Sequence, residues 1–258
     1  MRVIVQLAEQ IYEIECLFER TRRYLREYII PETGLDGQDV MYLKVTESDI
    51  AAARKASEEE QKRIGEPELA YSDAYLETLA LYRKIAEDGV GRGIFLFHGS
   101  CVAVDGEAYL FTAPSGTGKS THTRLWRQLL GERAVMVNDD KPLIRITDNA
   151  AIAYGTPWNG KHRLSTNIGV PLKAVCQLER STENRIEQVS YPEIFPVLFQ
   201  QTYRPADAVG MAGTLNLLDR LGQTVKFYRL GCNMDISAAE LSYNTMRGTG
   251  GGSGETAE

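Results

Sequence analysis

Apolar residues come in two spacings along the chain, short unbroken runs of strand length and longer stretches with one apolar residue every three or four positions. That mixture predicts an α/β protein. Residues 3–7 and 11–15 are strand candidates. Leu17, Phe18, Tyr24, Leu25 and Tyr28 fall at near-helical spacing before Pro31, which predicts a helix over 17–30. A further strand is expected at 40–45. Thr46 or Ser48 then caps a charged helix running to about residue 63, with Glu58-Glu59-Glu60 on its solvated face. From Ser72 to about residue 87, Tyr75, Leu76, Leu79, Tyr82 and Ile85 share one helical stripe. Residues 1–90 thus form a small α+β segment without nameable chemistry, suited to holding a substrate or partner.

Beyond Gly93 the pattern sharpens. Residues 94–97 read as a buried strand. Residues 101–104 and 107–112 flank Asp105-Gly106, a strong hairpin signal. A helix from about 118 to 130 ends near Gly131, and 134–137 is a short buried strand, so strand, loop, helix and strand make a βαβ unit. Residues 143–146 and 151–154 form a second hairpin about Thr147-Asp148-Asn149. A strand at 174–178, helices at 192–201 and 206–221, a strand at 224–230 and a helix at 237–246 complete a core over 91–246. Two hairpins around one crossover imply a mixed sheet, because an all-parallel sheet needs helical crossovers throughout. The Gly/Ser-rich stretch from 247 to 258 reads as a disordered tail.

The loop between the second strand of the first hairpin and its helix carries the chemistry. Ala113-Pro114-Ser115-Gly116-Thr117-Gly118-Lys119-Ser120 fits the phosphate-binding P-loop (Walker A) pattern, with Ala in place of the first Gly. Glycines let amides turn onto phosphate oxygens, and the following helix N-terminus adds positive charge. Pro114 to Thr121 are therefore the expected nucleotide contacts. Lys119 reaches the β- and γ-phosphates, and Ser120 ligates Mg²⁺. The strand at 134–137 ends in Asn138-Asp139-Asp140, beside the loop, where such folds hold the metal. Asp139 and Asp140 divide between metal and incoming nucleophile. His98 ends a strand that can reach the same sheet end, and its spacing leaves structural and catalytic roles open. Residues 155–163 form a polar loop with Lys161, His162 and Arg163, and Lys161 or Arg163 can neutralise charge on a transferring phosphoryl group. Trp158 packs there as a lid or as an anchor.

Composition narrows this picture. The chain has 258 residues, 43% hydrophobic and 25% charged, with a net charge of −6. Such a balance argues against a nucleic-acid or anionic-membrane footprint. Apolar runs are too short for a membrane span, and no signal peptide is evident, so a cytoplasmic address is expected. Cys16, Cys101, Cys176 and Cys232 are scattered and match no metal spacing. Cys101 and Cys176 read as buried hydrophobes, and Cys232 as a turn residue.

His98-Gly99, the loop 115–120 and Asp139-Asp140 resemble the HPr kinase/phosphorylase family, and more broadly the superfamily shared with ATP-dependent phosphoenolpyruvate carboxykinase. The likeness spans residues 93–180. It implies a P-loop kinase core with a mixed sheet, use of ATP and Mg²⁺, His98 near the phosphates, and Asp139-Asp140 as metal ligand and catalytic base. The family's acidic-Arg-Gly signature is replaced by Thr156-Pro157-Trp158-Asn159-Gly160-Lys161. The expected activity is γ-phosphoryl transfer to a hydroxyl on a protein, peptide or small molecule. A carboxykinase-like enzyme and a nucleotide-sensing regulator without turnover are the alternatives. The expected partners are a nucleotide and the acceptor, with room for a homo-oligomer.

Overall fold

The computed structural model describes residues 1–64 and 69–248. Apart from Arg247 and Gly248, the expected tail over 247–258 lies outside the described residues. The chain divides into two compact units, Met1–Ile94 and Phe95–Glu258.

In the first unit, β1 (Arg2–Leu7) and β2 (Gln10–Glu15) pair antiparallel, and β3 (Val40–Lys44) joins β2 in parallel. Three helices follow the sequence in this unit: α1 (Glu19–Tyr24), α2 (Glu47–Ile64) and α3 (Asp73–Val90). Ser72 caps α3 by accepting from the Tyr75 amide. The helix expected over 17–30 is cut short. A 3₁₀ turn at Arg26–Tyr28 follows α1, and Ile29 returns to extended backbone to bridge Val5 on β1. An edge strand's need for partners overrides helical spacing there. Glu77 on α3 is fully buried and draws this unit together. Its carboxylate accepts from the Phe18 amide at 3.2 Å, from the Leu17 amide and from the Thr21 hydroxyl.

The larger sheet orders β4 (Ile94–Leu96), β8 (Leu143–Ile146), β9 (Ala151–Tyr154), β10 (Gly169–Arg180), β6 (Glu107–Thr112), β5 (Ser100–Val104) and β7 (Ala134–Asn138). β12 (Lys226–Cys232) pairs with β10 in parallel and with β11 (Arg185–Val189) antiparallel. The sheet is mixed, as two hairpins require. β11 was not legible as a strand in the sequence. Cys232 ends β12 rather than occupying a turn, whereas Cys101 and Cys176 are fully buried in strands. Asp105 and Gly106, at φ +52° and +84°, close the β5–β6 hairpin in the twist such turns favour.

One difference from the sequence reading governs the site. β6, α4 (Lys119–Leu130) and β7 are not a simple βαβ unit, because β5 lies between β6 and β7 and runs antiparallel to both. On α4, Lys119, His122, Thr123 and Trp126 face inward at positions i, i+3, i+4 and i+7. Trp126 is fully buried against Tyr109, Phe111 and Tyr243, with ring centroids 5.0 to 5.3 Å away, and donates its Nε1–H to Ser242 at 2.9 Å. Ser242 lies on α7 (Ile236–Met246), so this contact fixes α4 and the loop before it. Helices α5 (Tyr191–Gln201) and α6 (Ala208–Thr224) complete the unit. No helix among the described residues is long and apolar enough to cross a membrane.

Glu77→Ala leaves one buried and two part-buried donors without an acceptor and is expected to cost about 3 kcal/mol. Chemical denaturation measures this, and a loss below about 1 kcal/mol contradicts the assigned role.

Candidate functional site

Because β5 opposes β6 and β7, and β10 lies parallel to β6, the strands β6, β7 and β10 all end on one side of the sheet. The loop after β6, the acidic pair after β7, the last residue of β10 and the residues entering β5 therefore gather there.

The loop at 113–118 is shaped by two glycines in the left-handed region, Gly116 at φ +76° and Gly118 at φ +124°. A Cβ at either would meet open space, so the requirement is conformational rather than steric. Gly118 caps α4 without any side-chain acceptor, and the first turn of α4 holds no acidic residue. Its leading amides keep their positive end exposed to an incoming anion. The buried Lys119 folds under the loop and donates Nζ–H to the carbonyls of Ala113 at 2.8 Å and Pro114 at 3.4 Å. Burial, reinforced by the Lys141 charge, lowers its pKa to about 8. Pro114, Ser115 and Gly116 are exposed, while Thr117, Ser120 and Thr121 are half-buried. Arg180, the last residue of β10, donates from Nη2 to the Gly116 carbonyl at 2.6 Å.

The acidic end is built on Asn138. Its Oδ1 accepts from the amides of Asp140 at 2.9 Å and Lys141 at 2.7 Å, and its Nδ2 donates to the carbonyl and hydroxyl of Thr156, each at 3.0 Å. This turn presents Asp139, Asp140 and Lys141 in succession. Asp139 is buried and accepts from the Ser100 hydroxyl at 2.6 Å. Ser100 also meets Thr123 of α4 at 2.8 Å. Burial raises the Asp139 pKa, and hydrogen bonds from Ser100 and Ser120 partly oppose that shift. Asp140 Oδ1 lies 3.0 Å from Lys141 Nζ and 3.4 Å from His98 Nε2. The His98 backbone is held by its amide on the Gln201 carbonyl at 2.7 Å. Desolvation first, then the Lys141 and Lys119 charges, push its pKa well below the usual value. Neutral imidazole is therefore the form at pH 7, and it offers Asp140 a hydrogen bond but no charge.

Among the residues singled out by sequence, His98, Asp139 and Asp140 meet beside Lys119 and Ser120. Lys161 and Arg163 stand on an exposed turn at 160–163, and Lys141 is the lysine in contact with Asp140. Trp158 is buried, an anchor and not a lid. Sequence reasoning missed Ser100, Asn138, Lys141 and Arg180. Ser100 and Lys141 adjoin marked residues and were within reach. Arg180 becomes visible only once β10 is known to lie beside β6.

Among the described residues, no group of three or more His, Cys, Asp or Glu side chains could hold a metal ion. Ser120 and Asp139 make a sparse oxygen pair that fits Mg²⁺, which keeps several waters and takes further ligands from phosphate oxygens. It does not fit a cation that needs a full protein cage.

No protein-family model and no curated protein matches the chain. Among solved structures it is similar to the HPr(Ser) kinase/phosphatase from Coxiella burnetii, at 12% identity and a TM-score of 0.34 over 60% of this chain and 93% of that one. At that score the likeness is loose, and the chemistry rests on this chain's own residues.

The burial of Lys119 has a testable consequence. In the metal-free and nucleotide-free protein its proton is lost at about pH 8, against an ordinary value of 10.5. Between those values the unfolded chain binds more protons, so stability contributed by this group rises with pH. Relative to Lys119→Met, the wild-type protein is expected to gain up to about 3 kcal/mol across that window. Parallel denaturation series at stepped pH test this, and a constant difference contradicts it.

Proposed function

We propose that this chain is a Mg²⁺- and ATP-dependent phosphotransferase that moves the γ-phosphoryl group to a hydroxyl on a protein, a peptide or a small molecule. The observation that carries this reading is the arrangement of the two sheet-end segments. A glycine-shaped loop floored by buried Lys119 faces Asp139 and Asp140 across one inserted strand, and Ser100 ties that strand to both sides.

Phosphate oxygens fit the loop amides and the open N-terminus of α4. Lys119 leaves the Ala113 and Pro114 carbonyls to reach the β- and γ-phosphates, which return the charge partner that burial denies it. Ser120 and Asp139 would hold Mg²⁺, which when bound neutralises charge on the bridging phosphate oxygens. Asp140 is the base. It takes the acceptor hydroxyl proton as that oxygen bonds to the γ-phosphorus and the bond to the leaving ADP oxygen breaks. Lys141 and neutral His98 fix the orientation of the Asp140 carboxylate. Lys141 also adds a second cation to the site, at the Asp140 end.

With γ-labelled ATP and Mg²⁺, Lys119→Ala is expected to reduce label transfer and hydrolysis at least about a thousandfold. Asp140→Asn is expected to lower kcat by about 10²–10⁴ with nucleotide affinity retained. Transfer that survives Lys119→Ala refutes the reading. Nucleotide binding without any turnover would replace it with a sensor.

A further inference from the structure

The turn at 160–163 is mounted on the acidic segment by its backbone. The Lys141 amide donates to the Trp158 carbonyl at 3.1 Å, and the Asp139 amide donates to the Leu164 carbonyl at 3.0 Å. Asn138 and Ser165 form a β-bridge, and Asn159 Nδ2 donates to Ser165 at 2.8 Å. Between these anchors the chain projects four exposed residues, Gly160-Lys161-His162-Arg163. Gly160 packs on Asp140 so closely that a Cβ there would lie 3.2 Å from the Asp140 Cβ. The tip therefore stands at the rim of the carboxylate pair.

Its conformation is unusual. Gly160 has φ +68° and Arg163 φ +51°, and the Arg163 amide closes the turn on the Gly160 carbonyl at 3.4 Å. A left-handed conformation at an arginine is normally avoided, and such outliers gather at binding and catalytic sites. Neither Lys161 nor Arg163 has an ion-pair partner among the described residues. In a chain of net charge −6, Lys161 and Arg163 thus stand on a turn whose backbone packs against Asp140. Without them, two carboxylates would repel an anionic acceptor.

We infer that the Lys161–Arg163 tip selects an acceptor bearing a carboxylate or phosphate close to its reactive hydroxyl, and so gives the proposed phosphotransferase its substrate class. This rests on the reading of Asp140 as base. Lys141 already lies against Asp140, which leaves the outer cations facing the acceptor side. The anion belongs either to a free hydroxy acid or to acidic residues flanking a peptide hydroxyl.

The test uses the full chain, γ-labelled ATP with Mg²⁺, and matched acceptors. Serine peptides differ only in having Asp, Ala or Lys on each side of the serine, and glycerate is compared with glycerol. Acidic acceptors are expected to exceed their neutral counterparts in kcat/KM by at least about tenfold. The double variant Lys161→Glu/Arg163→Glu is expected to reverse the order among the peptides. Lys161→Gln/Arg163→Gln should flatten it through KM. The peptide and glycerate arms identify the source of the anion. Label moving equally to acidic, neutral and basic acceptors overturns this inference alone, as does a preference unchanged by charge reversal. No transfer to any of these acceptors overturns both this inference and the phosphotransferase reading.

Discussion

Strand β5 runs against both of its neighbours, and that antiparallel insertion decides which side chains can meet beside the loop. With β6 and β7 adjacent and parallel, the loop and the acidic pair would face each other directly. With β5 between them, the residue entering β5 must span the gap, and Ser100 does so with one hydroxyl that contacts Asp139 and Thr123. The same insertion brings His98, two residues earlier, against Asp140. The helix behind the glycine-shaped loop and the carboxylates are thereby coupled through a short, buried, hydrogen-bonded bridge. Such bridges hold geometry better than exposed loops do.

Burial at this end of the sheet disfavours charge on Lys119, His98 and Asp139. Lys119 and His98 have lowered pKa values and Asp139 a raised one, in each case with desolvation as the leading cause. That desolvation is a cost to the fold, offset by packing elsewhere, including the aromatic cluster around Trp126. In the proposed phosphotransferase, phosphate oxygens and a divalent cation would supply the missing counter-charges.

The acidic end has its own economy of parts. Asn138 holds the amides of Asp140 and Lys141 with one oxygen and Thr156 with its nitrogen, so a single side chain shapes the turn carrying Asp139, Asp140 and Lys141 and tethers the segment leading to the cationic turn. The turn's position at the rim depends on that tether and on the backbone bonds of Trp158 and Leu164.

Local chemistry was legible in the sequence wherever neighbours in the chain are neighbours in space. The Asp105-Gly106 hairpin, the glycine-shaped loop opening α4 and the Asp139-Asp140 pair each depend on a few consecutive residues, so spacing and turn chemistry were enough to find them. The helix over 17–30 failed because Ile29 is claimed by β1, a partner its own spacing does not reveal. Arg180 was invisible because it reaches Gly116 only through the parallel pairing of β10 with β6. That Lys141 contacts Asp140 was likewise a matter of which cation the Asn138 turn brings to 3.0 Å from that carboxylate. By itself the sequence determined a mixed α/β chain with a glycine-shaped loop opening a helix and a carboxylate pair. Tertiary structure alone decided that β5 lies between them, that Ser100 joins them and that the cations divide into an inner and an outer set, because strand order follows from long-range hydrogen bonding and burial that no local spacing encodes.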